Sequence, residues 1–258
     1  MNLALNMSLA QFYKSKTQQN KVITEAWLED NMYCPICGEA KINRYIANRP
    51  VADFYCHNCS SDFELKSKES NHSVFSNIIP DGAYHTMIER ITSQQNPNLF
   101  VMTHFNHSVN NLIFIPNFFF VPSTIIKRPS LKEGARRAGW IGCNINLAAI
   151  PNEAKIPVIT DCSIMPVLSV KRHFNRLLSL QTDKLHSRNW LMDTMMCIEK
   201  LNKEYFTLQE IYLFEDLLRT KYPDNHFIKA KLRQQLQILR DKGFIEFTDR
   251  GKYRILKL

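Results

Sequence analysis

Apolar residues recur at helical spacing in some parts of the chain and form short, β-rich runs in others. Residues 8–29 carry apolar side chains among strong helix formers, which predicts one or two helices. Glu25 in this segment could join a metal site from such a helix, but a glutamate here is more often solvated, and we leave it out of the predicted site. Residues 50–55 and 62–66 are short and rich in β formers, which predicts two strands joined by a turn.

Farther along the chain, one amphipathic segment is followed by several apolar ones. Residues 81–95 predict a helix with Asp81 as its N-cap. Apolar runs rich in β formers predict buried strands at residues 99–103, 111–120 and 156–160. Residues 169–180 predict a closing helix. This order predicts an α/β fold, in which helices flank a mixed sheet.

A polar stretch without periodicity divides the chain into two predicted domains, residues 1–183 and 184–258. Helices are predicted in the second domain at residues 190–201, 207–221 and from Pro223 to Lys242. The middle helix begins with a Thr-x-x-Glu capping box. A strand, a turn and a second strand follow, and three helices with a β-hairpin predict a winged helix.

The third helix of this domain has one apolar and one polar face. The predicted buried stripe consists of Ile228, Leu232, Leu236 and Leu239. The polar face carries Ala230, Arg233, Gln234 and Gln237. In a helix-turn-helix this face enters the major groove, where Arg pairs with guanine and Gln with adenine. The small Ala230 leaves room for a methyl group, and Arg250 and Lys252 of the hairpin suit phosphate contacts. A face turned to solvent is the alternative interpretation.

Four of the seven cysteines form two Cys-x-x-Cys pairs, Cys34 with Cys37 and Cys56 with Cys59, and 18 residues lie between the pairs. This spacing is typical of a four-cysteine zinc site. Two disulfides or a thioredoxin-like redox motif are the alternatives. The other three cysteines are far apart, and the odd total favours a reducing compartment.

The two strands around the second cysteine pair carry candidate catalytic residues. Because side chains alternate along a strand, Glu64 and Lys66 share one face, and Asp53 on the neighbouring strand is expected beside Glu64. Metal-dependent phosphodiesterases use such an Asp-x10-Glu-x-Lys arrangement. The two carboxylates hold Mg²⁺ and the lysine orients the attacking water. The alternative is a solvated strand face without function.

Composition adds a preference for a polyanionic partner. The 258 residues include 33 Lys and Arg against 24 Asp and Glu, a formal charge of +9, which suits nucleic acid. A hydrophobic content of 45% is enough for a sizeable core. The sequence has neither the pattern of a secretion signal nor an apolar run of membrane-spanning length, so we expect a soluble, cytoplasmic protein.

Residues 127–144 combine basic residues with glycines and a tryptophan. Arg136 and Arg137 can fork onto phosphate or guanine, and the glycines allow close approach of the backbone. Trp140 can stack on a base or contact a methyl group. The alternative is a buried tryptophan in an ordinary basic loop.

Several long motifs resemble the Dam-replacing, DpnI-like family of methyl-directed restriction endonucleases. These are NRPVADFYC, FELKSK, DGAY followed by TM, ARRAGWIGCNI, RQQLQILRDK and RGKYR, and together they span nearly the whole chain. The resemblance implies a zinc-bearing PD-(D/E)xK nuclease domain followed by a winged helix. It also implies cleavage of GATC whose adenine carries an N6-methyl group. The first nuclease motif reads Ala-Asp rather than Pro-Asp, as it does in the relative that the chain resembles.

On the matching positions, the resemblance implies roles for individual residues. Asp53, Glu64 and Lys66 would be catalytic, with Mg²⁺ held by the two carboxylates and Zn²⁺ held by the four paired cysteines. The basic segment would be a DNA-contacting loop, in which Arg136 and Arg137 contact DNA and Trp140 senses the methyl group.

The leading hypothesis is therefore a Mg²⁺-dependent type II restriction endonuclease, a monomer without an obligate protein partner, that acts on methylated double-stranded DNA. A rival hypothesis is a DNA-binding regulator without catalysis. It explains the charge, the zinc site and the winged helix equally well, and only the Asp53, Glu64 and Lys66 arrangement speaks against it. A nuclease specific for unmethylated DNA is a third possibility.

Overall fold

The computed structural model describes residues 1–46, 52–71 and 75–256, and the chain forms two compact units. The first unit comprises Met1–Ala148 and Glu153–Asn175. The second comprises Ala149–Asn152 and continues from Arg176. The division falls within a helix, α3 (Val167–Leu178), slightly before the position predicted from the sequence.

The first unit is built around a mixed sheet with seven strands in the described residues. They are β1 (Asn43–Arg44), β2 (Phe54–Tyr55), β3 (Asp62–Glu69), β5 (Asn98–Phe105), β6 (Ser108–Ile115), β9 (Ile156–Thr160) and β10 (Ser163–Ile164), and they lie side by side in this order. β3 and β5 run parallel, whereas the other neighbours are antiparallel. The predicted mixed sheet is thereby confirmed.

An aromatic cluster holds the middle of this sheet. Phe63 of β3, Phe100 of β5 and Phe114 of β6 are fully buried, and the ring centroids of adjacent members are 5.4 Å apart. Phe174 of α3 packs against Phe114 at 6.0 Å. Helix α1 (Lys16–Asn31) packs against β3. Helices therefore flank the sheet, and β3 lies beside its central strand, β5.

A second, antiparallel sheet of the first unit brings one more strand toward β3. It consists of β4 (Ile78–Ala83), β7 (Ile125–Ser130) and β8 (Ile141–Asn146), with β8 in the middle. Helix α2 (Tyr84–Thr92) packs on this sheet through its buried Met87 and Ile91.

The second unit is a winged helix. Its elements are α4 (Leu185–Leu201), β11 (Tyr205–Thr207), α5 (Leu208–Tyr212), α6 (Glu215–Lys221), α7 (Ile228–Asp241), β12 (Ile245–Asp249) and β13 (Lys252–Ile255). Helix α7 packs on α4, α5 and α6 through the predicted stripe of Ile228, Leu232, Leu236 and Leu239, each at most 1% exposed. In the described ranges, no helix is both long enough and apolar enough to cross a membrane.

Three expectations about elements are wrong in detail. Asp81 is not an N-cap, because it pairs with Cys143 in the β4–β8 ladder and α2 begins only at Tyr84. The strand predicted over residues 111–120 ends at Ile115, and a 3-10 turn follows Pro116. The helix predicted over residues 207–221 is interrupted between α5 and α6, although its capping box is formed. Residues 50 and 51 of the first predicted strand lie outside the described residues.

Candidate active site and metal centre

The four paired cysteines converge on one point. Their Sγ atoms all lie within 4.8 Å of one another, and Cys34–Cys59 and Cys37–Cys56 are each separated by 3.6 Å. A disulfide requires about 2.05 Å between sulfurs, so all four are free thiols. Thiolates bound tetrahedrally about 2.3 Å from a zinc ion lie roughly 3.8 Å apart. The cluster is therefore compatible with zinc.

Both Cys-x-x-Cys pairs adopt the same turn. The Gly38 amide donates to the Cys34 carbonyl, and the Ser60 amide donates to the Cys56 carbonyl, each at 2.9 Å. Gly38 and Ser60 have positive φ angles of 86° and 57°. At Gly38 an added Cβ would also lie 2.6 Å from Nζ of Lys171, so the lysine side chain would have to shift. The repeated turn explains how two separate segments present their thiols to one point.

The second cysteine pair lies in the turn between β2 and β3, and these strands carry the predicted catalytic residues. The β2–β3 ladder ends at the pair of Phe54 and Phe63, and Asp53 lies one residue beyond it. The Asp53 amide donates to the Phe63 carbonyl at 3.0 Å. Oδ2 of Asp53 accepts a hydrogen bond from the Leu65 amide at 3.0 Å. Asp53 therefore contacts the backbone on both sides of Glu64, which places it beside that residue.

Lys66 lies between two carboxylates. Its Nζ is 2.7 Å from Oε1 of Glu64 and 2.6 Å from Oδ1 of Asp81. Nη2 of Arg90 lies 3.8 Å from the other oxygen of Glu64. The side chains of Lys66, Glu64 and Asp81 are only 22%, 17% and 7% exposed. This part of the strand is therefore not a solvated face.

The ionisation of the group follows from burial and close charges. Burial raises the pKa of the Glu64 carboxyl, more than the adjacent Lys66 ammonium lowers it. Burial alone would lower the pKa of Lys66, but the Glu64 and Asp81 carboxylates outweigh burial and raise it. Lys66 is consequently a cation here, suited to attract phosphate oxygens and a developing negative charge.

A cavity of about 690 Å³ opens beside the three predicted catalytic residues, which form part of its wall. Glu25 of α1 lines the same cavity and is only 4% exposed. It pairs with Arg44 and, at 3.4 Å, with Lys21. Burial raises the pKa of its carboxyl. The expectation that Glu25 is solvated is wrong, because α1 packs this face against β3.

The basic segment forms the hairpin between β7 and β8. Leu131 and Trp140 close its loop, since the Leu131 amide donates to the Trp140 carbonyl at 2.9 Å. Arg136 and Arg137 are exposed within the loop, and Trp140 is half-buried. The six-membered ring of Trp140 covers Gly142, where an added Cβ would lie 2.8 Å from two ring carbons. Gly142 therefore makes room for the tryptophan.

The predicted DNA-facing residues of the winged helix are accessible. Exposed side chains are present at Ala230, Arg233, Gln234, Gln237, Arg250 and Lys252. Two of them have partners: Lys231 donates to Oε1 of Gln234 at 2.8 Å, and Lys252 pairs with Asp249 at 3.1 Å. Such surface contacts are weak and can be exchanged for contacts with DNA.

A mixed α/β core that clusters carboxylates around a lysine, a four-cysteine centre and a helix-turn-helix unit together fit a DNA-binding nuclease. Comparison with protein families supports this class. The model of the Dam-replacing family matches residues 1–183, and the model of the Dam-replacing HTH domain matches residues 186–255. The chain belongs to the Dam-replacing family.

Sequence reasoning missed one acidic residue near the site, Asp81, and left another, Glu25, out of the predicted site. Asp81 follows Lys66 by 15 residues and reaches it from a different sheet, so no local period links the two. Glu25 lies on a helix whose polar and apolar residues are poorly segregated, so its buried side is not evident from the sequence. The sequence marks Asp81 only through the DGAY motif, and this motif also fits the start of a helix.

We predict that Cys56→Ser lowers the zinc content of the purified chain from about one ion to well below that, because three thiolates cannot complete the tetrahedron. The thermal unfolding midpoint of the first unit should fall with it, since structural zinc contributes directly to folding. Metal analysis and a thermal melt measure both effects. Cys162→Ser, at an exposed cysteine outside the cluster, is the matched control. Equal zinc content in the two variants would contradict a four-cysteine centre.

Proposed function

We propose that the chain is a type II, methyl-directed (type IIM) restriction endonuclease, which hydrolyses both strands of DNA at GATC sites carrying N6-methyladenine, with Mg²⁺ as cofactor. The backbone contacts that place Asp53 beside Glu64, with Lys66 on the same strand as Glu64, support the hydrolytic class most directly. The family match and the motifs shared with methyl-directed enzymes support the target sequence and the methyl dependence.

In this proposal each residue of the site has one task. Asp53 and Glu64 hold Mg²⁺, and hard carboxylate oxygens are the ligands this ion prefers. Bound Mg²⁺ would supply Lewis acidity at the scissile phosphate. Lys66 orients the attacking water and stabilises the negative charge that develops on the phosphate oxygens. The four cysteines hold Zn²⁺ as a structural ion.

Recognition is assigned to two surfaces. Arg136, Arg137 and Trp140 of the hairpin loop contact DNA near the cleavage site, with Trp140 against the adenine methyl group. The winged helix reads the same sequence independently through Ala230, Arg233, Gln234 and Gln237, while Arg250 and Lys252 contact phosphates. The domain bounds 1–183 and 184–258, a monomeric state and a cytoplasmic location complete the proposal. The four free cysteines of the cluster support the cytoplasmic location, because a reducing compartment keeps cysteines as thiols that can bind zinc.

We expect Lys66→Ala to reduce cleavage of a methylated GATC duplex by roughly 100-fold or more, because a preorganised positive charge at the phosphate is lost. Binding of the same duplex should change by less than about twofold, since most recognition contacts lie elsewhere. Single-turnover cleavage and a gel-shift titration measure the two effects. Lys14→Ala, at an exposed lysine outside the cavity, is the control. Retained cleavage in Lys66→Ala would show that the assignment of the site is wrong.

For Trp140→Ala we expect the ratio of cleavage rates on methylated and unmethylated duplexes to fall by about fourfold or more, because contact with one methyl-sized group contributes about 0.8 kcal/mol. Cleavage rates on matched duplexes with and without the methyl groups measure this ratio. Phe12→Ala, at an aromatic residue that is 84% exposed, should leave it unchanged. An unchanged ratio in Trp140→Ala would remove this residue from methyl sensing.

A further inference from the structure

Asp81 enters the site from outside the sheet that carries the predicted catalytic residues. It lies on β4, beside a break in the β4–β8 register between Asp81 and Ala83. Such bulges re-aim side chains and are common next to active sites. Its Oδ1 accepts hydrogen bonds from Nζ of Lys66 at 2.6 Å and from the Gly82 amide at 2.7 Å. The fold thus directs a third carboxylate at Lys66.

The second oxygen of Asp81 is costly to bury. Oδ2 is inaccessible to solvent and has no hydrogen-bond partner in the described parts of the chain. A buried carboxylate oxygen without a donor is tolerated only where a close cation compensates for the lost hydration. The contact with Lys66 supplies that cation. The arrangement therefore favours a functional link between Asp81 and Lys66 over a purely structural role.

A charge count shows what the third carboxylate changes. Lys66 contacts the carboxylates of Glu64 and Asp81, and Arg90 contacts Glu64, so the charges of these four side chains balance. Without Asp81, two cations would face Glu64 alone, and that excess of positive charge would oppose the entry of a divalent cation. Asp81 also gives Lys66 a partner other than Glu64, so that Glu64 is not needed to neutralise the lysine.

We propose that Asp81 is a positioning residue, which holds the Lys66 ammonium group in place while Glu64 binds the divalent ion. This inference rests on the proposed function of the same site. In this role Asp81 acts through its contact with Lys66, not on the ion or the substrate directly. Asp81 supplies both a negative charge and a contact with Lys66. We therefore expect that removing the positive charge of Lys66 compensates for the loss of Asp81 in divalent-ion binding.

The test measures Mn²⁺ binding to the full, zinc-loaded chain by calorimetry. Asp81→Asn keeps the side-chain size and an acceptor for the Gly82 amide, and we expect it to weaken Mn²⁺ binding by about tenfold, the effect of losing one charged hydrogen-bond partner. Combining it with Lys66→Met restores the net charge and should return the affinity to within about twofold of the wild type. Glu69→Gln removes an exposed carboxylate from the same strand as Lys66 and is the matched control.

A second readout is single-turnover cleavage at saturating methylated duplex. Asp81→Asn should lower the rate by about tenfold or more, while the Kd for the duplex stays within about twofold. Unchanged Mn²⁺ affinity in Asp81→Asn overturns the inference, as does a loss that Lys66→Met does not restore, because removing Lys66 would not rescue a structural defect. A wild-type chain that neither binds Mn²⁺ nor cleaves the duplex would instead overturn the proposed function.

Discussion

The pairing of β2 with β3 is the constraint on which the rest of the site depends. Where the ladder ends at Phe54 and Phe63, Asp53 lies beside Glu64, and a slip of one residue would turn every side chain of the strand to the other face. Two features hold this register: the buried Phe63 in the aromatic cluster, and the turn that carries Cys56 and Cys59. The four-cysteine centre next to the site therefore helps to hold the register of β2 and β3.

Charge compensation is the second constraint, and it accounts for the contribution of the smaller sheet. Burying Glu64 and Lys66 beside each other stabilises both charges only if their remaining polar atoms find partners. Arg90 of α2 and Asp81 of β4 provide them. The sheet formed by β4, β7 and β8 thus supports the site from one side and presents the Trp140 loop at its hairpin. The same small sheet therefore carries both Asp81, which contacts Lys66, and Trp140, the residue proposed to sense the methyl group.

Local patterns predicted most of the architecture, because they depend on neighbours in sequence. The contact between Glu64 and Lys66 on one strand, the apolar stripe of α7 and the Cys-x-x-Cys spacing all correspond to the structure. The remaining features arise from contacts distant in sequence. Asp81 is drawn into a ladder with Cys143, and Glu25 is buried because α1 packs against β3. The sequence pattern predicts Asp81 as a helix N-cap because an aspartate before an amphipathic segment is typical of such a cap.

The most direct measurement is digestion of one plasmid isolated from an adenine-methylating host and from a non-methylating host, each with Mg²⁺ and with EDTA. The account predicts that only the methylated plasmid supplied with Mg²⁺ is cut, and that its fragments end at GATC. A different result would contradict it: neither plasmid is cut, but the methylated one is retarded on a gel. The chain would then bind methylated DNA as a regulator, without the hydrolysis assigned to Asp53, Glu64 and Lys66.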